Sequence, residues 1–526
     1  MRTQFNVDKN FGGSDARHNL AFVAGAEFRQ NDYRNVSDKY YGFDEDTYEV
    51  ATVNPNVSYQ TIDGWGMTIG SGTANSRNLH RALSYYSNAA FSILNGKYVL
   101  SGSLRFDDFT MVGASREQRA QPLWSLGGKW NIKKERFMED LNWINTLALR
   151  LTYGVNGTVP MGVGHKAVIN LSRDNDTNEK TAYIDSPANS TVTWEKVKSF
   201  NVGLDYSTWD NRLSFAIDYY TKKTSDILYN LPFNPTYGWS RLLFNSATMK
   251  SHGVDLGVNV NWFRGNFKWN TLFNFGYNDN EVTDSRFEKS DYIAELLGGS
   301  RPIVGLPVDY LYAYRWAGLD NKGQSQIYTK DGEILSSGQQ MNELDVDDLR
   351  YMGRSTPPYF GGLMNSFSYK NFTLGIRLSY SLGHVMRRLS IQNYPTFDGE
   401  YSGRIGAQRE LALRWQKPGD EAHTNVPGIT NDPNQFNSTS RYSNSDLLVI
   451  SGSHVRLQQI NFGYNFPVSL LQRTPFKSLN ITGSIRNMGI LWRKNKDGVD
   501  PNYRVTNKYT NLAPSPAFFI SVNTSL

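Results

Sequence analysis

The 526-residue sequence has no cysteine. Disulfides, thiol catalysis and cysteine-ligated zinc are therefore excluded. No run of about 18 apolar residues is present, so a spanning helix is not expected. No Lys/Arg block occurs and the net charge is only +6, which gives no support to a nucleic-acid partner. The seven histidines, His18, His80, His165, His252, His384, His423 and His454, form no HxxxH or HxH pair, the usual spacing for zinc. "MRTQFNVDKN" at the N-terminus lacks the apolar h-region of a signal peptide. Either the protein stays inside, or this is a mature or partial chain whose export signal lies elsewhere.

Aromatics and glycine are abundant: 31 Tyr, 28 Phe, 12 Trp and 45 Gly. With hydrophobic residues at 39% and a mean hydropathy of -0.52, the chain is too polar for a bundle of membrane helices. The composition points instead to strands, turns and wet loops. "ILNGKYVLSGSLRFDD" is representative. After the Asn95-Gly96 turn, Tyr98, Leu100, Gly102, Leu104 and Phe106 share one face. Val99, Ser101, Ser103, Arg105 and Asp107 share the other. A strand with this alternation has an oily face and a largely wet one.

The same pattern recurs at Leu147–Val155, Phe200–Tyr206, Leu213–Tyr219, Val254–Trp262, Phe267–Tyr277 and Phe372–Leu382. These runs reach about 10 residues, the length a tilted strand needs to cross a bilayer. About fifteen strands are expected. Their connections alternate in length, as in outer-membrane barrels with short periplasmic turns and long outer loops. Short links fall near 9–17, 95–96, 134–145, 209–212, 263–266, 370–371 and 467–477. Long ones fall near 34–79, 110–120, 158–196, 228–247, 282–357, 388–449 and 489–512. On this scheme the first strand, near Thr3 to Asp8, runs downward, so the chain is expected to begin in mid-barrel. Unpaired sheet edges in hydrocarbon cost several kcal/mol per bare group, and the missing strands are expected from elsewhere.

A family resemblance emerges from an ordered set of segments. They are "HNLAFVAGAEF", "KYVLSGSLRFDD", "LALRLTYGVNGT", "TWEKVKSFNVGLDYSTWDNRLSFAIDYYTKKTSDIL", "MKSHGVDLGVNVNW", "STPPYFGGLMNSFSYKNFTLGIRLSYSLG", "SHVRLQQINFGYNFPVSLL" and "SIRNMGILWRKNKDGVDPNY". Together they resemble the C-terminal barrel half of SusC/RagA-type TonB-dependent outer-membrane transporters. The resemblance implies an all-β, 22-stranded, plugged transmembrane barrel of antiparallel strands, of which residues 1–526 supply about 15. The plug, the TonB box and the first strands would then lie outside this chain. It also implies a bacterial outer membrane of the Bacteroidota type, with extracellular loops. The implied partners are a SusD-like surface lipoprotein lid, TonB–ExbB–ExbD acting through the missing N-terminal part, the remaining barrel and plug polypeptide, and membrane lipid with lipopolysaccharide. No cofactor is expected.

Enzyme chemistry has little support. "GWGMTIGSG" lacks the strand-then-helix context of a phosphate loop. The acidic clusters Asp44-Glu45-Asp46 and Asp345-Asp347-Asp348 lack EF-hand spacing. Arg105, Arg150, Asp205, Asp218, Arg377 and Arg486 alternate with apolar neighbours and are expected to face the lumen. On the lipid face near the midplane a charge costs about 2–4 kcal/mol. Tyr85, Tyr98, Phe106, Tyr219, Trp262, Trp269, Tyr277 and Tyr380 fit the girdles at the membrane interfaces. Tyr237, Trp239, Tyr310, Tyr312, Tyr314 and Trp316 fall in long links, where they either stack on sugar faces or pack the loops and a lid interface. Trp239 and Trp316 come first as ligand contacts. The leading functional reading is active import of a large nutrient, an oligosaccharide or oligopeptide. The alternatives are a passive porin or surface adhesin on a barrel and, more remotely, a soluble all-β carbohydrate-active enzyme.

Overall fold

A computed structural model describes residues 1–525 apart from 14–16, 55–56, 61–63, 65, 70–73, 111–115, 160–164, 174–178, 286–292, 300, 337–343, 392–408, 430–434, 504, 507–508 and 511–512. Of "GWGMTIGSG", Trp65, Gly70, Ser71 and Gly72 therefore lie outside the described residues.

Fifteen strands form one antiparallel sheet in which each pairs with the next along the chain. They are β1 Arg2–Phe11, β2 His18–Ser37, β3 Ala74–Ile93, β4 Tyr98–Phe109 and β5 Ala120–Asn131. Next come β6 Ile144–Thr158, β7 Glu195–Thr208, β8 Leu213–Pro232, β9 Arg241–Arg264 and β10 Phe267–Ser285. The last are β11 Tyr359–Tyr369, β12 Phe372–Leu382, β13 His454–Asn465, β14 Ser478–Arg493 and β15 Ala517–Ser525. Among the described residues no ladder joins β1 to β15, and both are largely exposed. No described helix is long and apolar enough to cross a membrane.

Alternation decides which face is which. Along β3, Arg81, Leu83 and Tyr85 are exposed while Ala82, Ser84 and Tyr86 are buried. Register carries the exposed face sideways through Phe28↔Leu83, Tyr85↔Phe106 and Phe106↔Pro122. Leu100 and Leu104 remain 56% and 53% exposed on it, as expected of groups placed to meet hydrocarbon rather than a protein core.

The short links obey local turn chemistry. Asn95 (φ 58°) and Gly96 (φ 75°) are both left-handed, as an I′-type hairpin requires. The Lys97 amide returns to the Leu94 carbonyl at 3.1 Å. The turns expected at 209–212 and 370–371 occur at those residues.

Two links are cut back from expectation: 34–79, where β2 runs on to Ser37 and β3 begins at Ala74, and 228–247. Residues 228–247 were expected to form a long loop, yet β8 continues to Pro232 and β9 starts at Arg241, leaving only 233–240 between them. Register shifts between Thr224 and Leu228 interrupt the alternation there, so the strands continue while the period-2 pattern breaks. Residues 233–240 still outnumber the turns 209–212 and 265–266 on either side, so the alternation holds at this link; it fails at 110–119, which is shorter than the following link 132–143.

The described residues of the long links 286–358 and 383–453 fold against each other. Tyr314 bridges Ser445 in parallel fashion. The fully buried Arg441, on the helix Gln435–Ser443, donates to the carbonyls of Ser325 (2.9 Å) and Ser336 (3.0 Å). Ile391, Val426, Tyr442 and Leu448 of the second link form a core against which Trp316 of the first link packs.

Candidate functional site: the polar wall and the outer loops

The polar face carries its charges in cross-strand rows. Lys129, Arg150, Gly203, Asp218, Asp255 and Gly276 stand directly beside one another on β5 to β10. The Arg150 guanidinium crosses the glycine to reach two carboxylates, Asp205 and Asp218, each at 3.0 Å. Lys129 adds a contact to Asp205 at 3.4 Å. A side chain at 203 would displace the guanidinium, since its Cβ would lie 2.7 Å from Arg150 Nη2. Asp255 directly faces Asp218 across the ladder. Both line a groove of about 600 Å³ with Asn274, Phe360, Arg377 and Gln458.

Of the six charges expected on this wall, three, Arg150, Asp205 and Asp218, meet in one cluster. Arg105 belongs to another. Its Nε donates to both Asp107 oxygens at 2.8 Å and its Nη2 to Ser84 Oγ at 2.9 Å, with Glu27 at 3.9 Å. Arg377 and Arg486 stand apart from both clusters, flanking Gln459 in a third row. Arg377 is exposed, with Met364 Sδ 4.0 Å away. Arg486 lies over the Phe519 ring at 4.6 Å.

The six loop aromatics divide by exposure. Tyr310 is buried, donates to the Arg301 carbonyl at 2.8 Å, and has its hydroxyl pushed up to about 12 by that burial. Tyr312 and Tyr314 pack on a cluster of Leu296, Leu297 and Leu349. The Tyr312 carbonyl accepts from Arg387 at 2.7 Å. Trp316 meets Tyr442 edge-on at 5.5 Å and donates to Asn425 Oδ1 at 3.1 Å. Tyr237, 66% exposed, sits on Phe233, and half-buried Trp239 donates to the Asp185 carbonyl at 3.2 Å. The structure thus gathers Tyr310, Tyr312, Tyr314 and Trp316 into the loop core. Tyr237 and Trp239 stand on a separate hairpin tip.

The acidic clusters serve their own backbone. Asp44 Oδ1 accepts from the amides of Asp46 and Thr47, which lower its pKa. Asp345 and Asp348 form a capping box.

The family model described as "TonB dependent receptor-like, beta-barrel" matches residues 2–393. The chain belongs to the TonB-dependent receptor β-barrel family. Similar curated receptors are TonB-dependent receptor P3 of Formosa agariphila, 26% identical, and TonB-dependent receptor SusC of Bacteroides thetaiotaomicron, 22% identical. Each alignment covers 95% of this chain and 48% of the relative. A structure of the RagAB peptide transporter has the same fold, with a TM-score of 0.74 and 21% identity over 99% of this chain and 54% of that one. This TonB-dependent receptor barrel therefore spans about half the length of the relatives it matches, and its family is one of outer-membrane transporters and receptors rather than enzymes.

Sequence reading missed two features of this receptor barrel. Arg441 and Ser325, 116 residues apart, carry no local signal of their pairing. Nor does the reach of Glu135 back to Lys97, Tyr98 and Trp130.

Proposed function

We propose that this chain is the larger part of the barrel of an energised outer-membrane importer, and that the polar wall of Arg150, Asp218, Asp255 and Arg377 lines its lumen. The observation that carries the reading is the fifteen-stranded sheet itself, apolar on one face and charged on the other. An odd number of alternating strands leaves β1 and β15 running the same way, so an antiparallel closure needs an odd number of further strands. Seven more make the 22 of the plugged transporters. The half-length match to its relatives fits this. Those strands and a plug belong to a further stretch of polypeptide, and TonB–ExbB–ExbD acts through it.

The cargo is a large polar nutrient, an oligosaccharide or an oligopeptide. A curated relative named SusC and a like-folded peptide transporter support that size class. The folded unit of links 286–358 and 383–453 is extracellular and takes a SusD-like lipoprotein as its lid. Gentle detergent extraction from a Bacteroidota outer membrane, followed by mass analysis of everything that co-purifies, tests the reading. A plug-bearing polypeptide and a surface lipoprotein are expected. Recovery of this chain alone as a conducting pore would instead support a passive porin.

A further inference from the structure

Above the apolar belt, the lipid-side face of β2 and β3 changes character abruptly. Register continues that face upward from Phe28↔Leu83 through Gln30↔Arg81, Asp32↔Leu79 and Arg34↔Arg77. On β2 and β3 three guanidinia, those of Arg34, Arg77 and Arg81, thus share the outward face with Asp32, while Asp108 on β4, paired with Arg119 at 3.3 Å, stands beside Leu83 below them. Asp32 accepts from Arg77 Nε at 2.9 Å and Nη2 at 3.0 Å, and from Arg34 Nη2 at 3.2 Å. Arg81 donates to Gln30 Oε1 at 2.9 Å. Even so, the side chains of Arg34 and Arg77 stay 68% and 56% exposed.

Their height matters. At about 3.3 Å per residue and a tilt near 45°, Arg81 lies about 5 Å and Arg77 about 14 Å above Leu83 along the membrane normal. Phe28, Tyr85 and Phe106 mark the upper aromatic girdle just below, and all three are on this same face. An exposed cationic face that continues a lipid-facing belt meets headgroups first. Guanidinium pairs with phosphate in bidentate geometry more strongly than a lysine does. The spread from about 5 to 14 Å exceeds the depth of an ordinary phospholipid headgroup layer, about 5–8 Å per leaflet. It suits a taller sugar-phosphate headgroup.

We propose that Arg34, Arg77 and Arg81 form a binding site for the phosphates of an outer-leaflet glycolipid. Asp32 holds Arg34 and Arg77 in place and Gln30 holds Arg81, and the single carboxylate leaves the three guanidinia a net positive charge. The inference rests on the outer-membrane orientation given above, with the Ser37 end of β2 and the Ala74 end of β3 toward the cell exterior.

The test reconstitutes the intact transporter in nanodiscs containing a bis-phosphorylated glycolipid or its enzymatically dephosphorylated form. Lipid retained after detergent release is counted by native mass spectrometry. The wild type should retain the phosphorylated form. The Arg34→Gln/Arg77→Gln/Arg81→Gln variant should retain at least about tenfold less, the effect of losing one charge-assisted hydrogen bond. Retention of the dephosphorylated lipid should be alike for both proteins. A heat-modifiable gel shift shows that the variant is folded. Equal retention by wild type and variant, equal retention of the two lipids, or loss of a bound protein in place of lipid overturns the proposal. Because the chain has no cysteine, a separate Arg34→Cys variant reports orientation through a membrane-impermeant maleimide on intact cells. Labelling keeps the orientation standing whatever the lipid result. Absence of labelling overturns both.

Discussion

The Tyr98 hydroxyl donates to Glu135 Oε1 at 2.6 Å across the short-link end of the sheet. Trp130 Nε1 reaches the same oxygen at 2.9 Å and Lys97 Nζ reaches Oε2 at 3.1 Å. Two exposed aromatics paired on one face thus anchor their polar tips on one turn carboxylate, so that strand β4 is tied to its own neighbour's turn.

A pH dependence follows from this anchor. The three donors, Tyr98 first, pull the Glu135 pKa from 4.5 down to about 2. A depressed carboxylate stabilises the folded state above its unfolded pKa, and that contribution disappears as pH falls through the folded value. Resistance to urea, read by heat-modifiable gel mobility, should therefore decline between pH 4.5 and 2. Glu135→Gln should abolish that part of the decline while lowering resistance at pH 7.

The Arg150 bridge gives a second prediction. Removing the guanidinium leaves Asp205 and Asp218 side by side without their shared cation. Arg150→Met should cost about 1–2 kcal/mol, a partly exposed network being worth less than a fully buried one. In a double-mutant cycle with Asp218→Asn, a coupling near zero would show that the two groups act independently. Gly203→Val should mimic Arg150→Met, because its side chain occupies the path of the guanidinium.

The loop unit gives a third. Arg441 is 2% exposed and ties the helix Gln435–Ser443 to Ser325. Arg441→Met leaves two carbonyls without this donor and should cost about 3 kcal/mol. Limited proteolysis should then cut within 286–358 and 383–453 together, while the strands stay protected. Cutting in only one of the two links would show that they fold separately.

The aromatics separate by role in a fourth prediction. Tyr237→Ala should leave thermal stability within about 0.5 kcal/mol of wild type, as for an exposed site, while Trp239→Ala, which loses the bond to the Asp185 carbonyl, should cost about 1 kcal/mol. A drop in nutrient binding beyond these costs marks the hairpin tip as a cargo contact. Trp316→Ala should lower stability of the loop unit by about 3 kcal/mol, the usual scale for a packed tryptophan. Calorimetric unfolding beside a binding titration distinguishes the two.

Much of the fold was legible because its determinants are local. Tyr98 to Phe106 alternate strictly, and Asn95-Gly96 can make only a few turns, so strand and hairpin follow from neighbours in sequence. Legibility ended where a face stopped being oily. Between Phe28 and Ser37, β2 has polar groups on both faces, so period 2 carries no contrast and the strand's top was read as loop. The bulge at Thr224 to Leu228 hid the upper halves of β8 and β9 for a related reason. The charge wall was legible residue by residue, since Arg150, Asp205 and Asp218 each alternate with apolar neighbours. That they meet depends on register between three strands, which no single strand encodes. The loop core depends on contacts more than a hundred residues apart and has no periodic signature at all.

Energised uptake tests the central claim most directly. Cells carrying the complete transporter as their only route for a labelled oligosaccharide or oligopeptide pool are compared with and without TonB. The account predicts accumulation of one pool above the external concentration, lost when either TonB or this chain is removed. Uptake that persists unchanged without TonB, at a rate proportional to concentration, would contradict it.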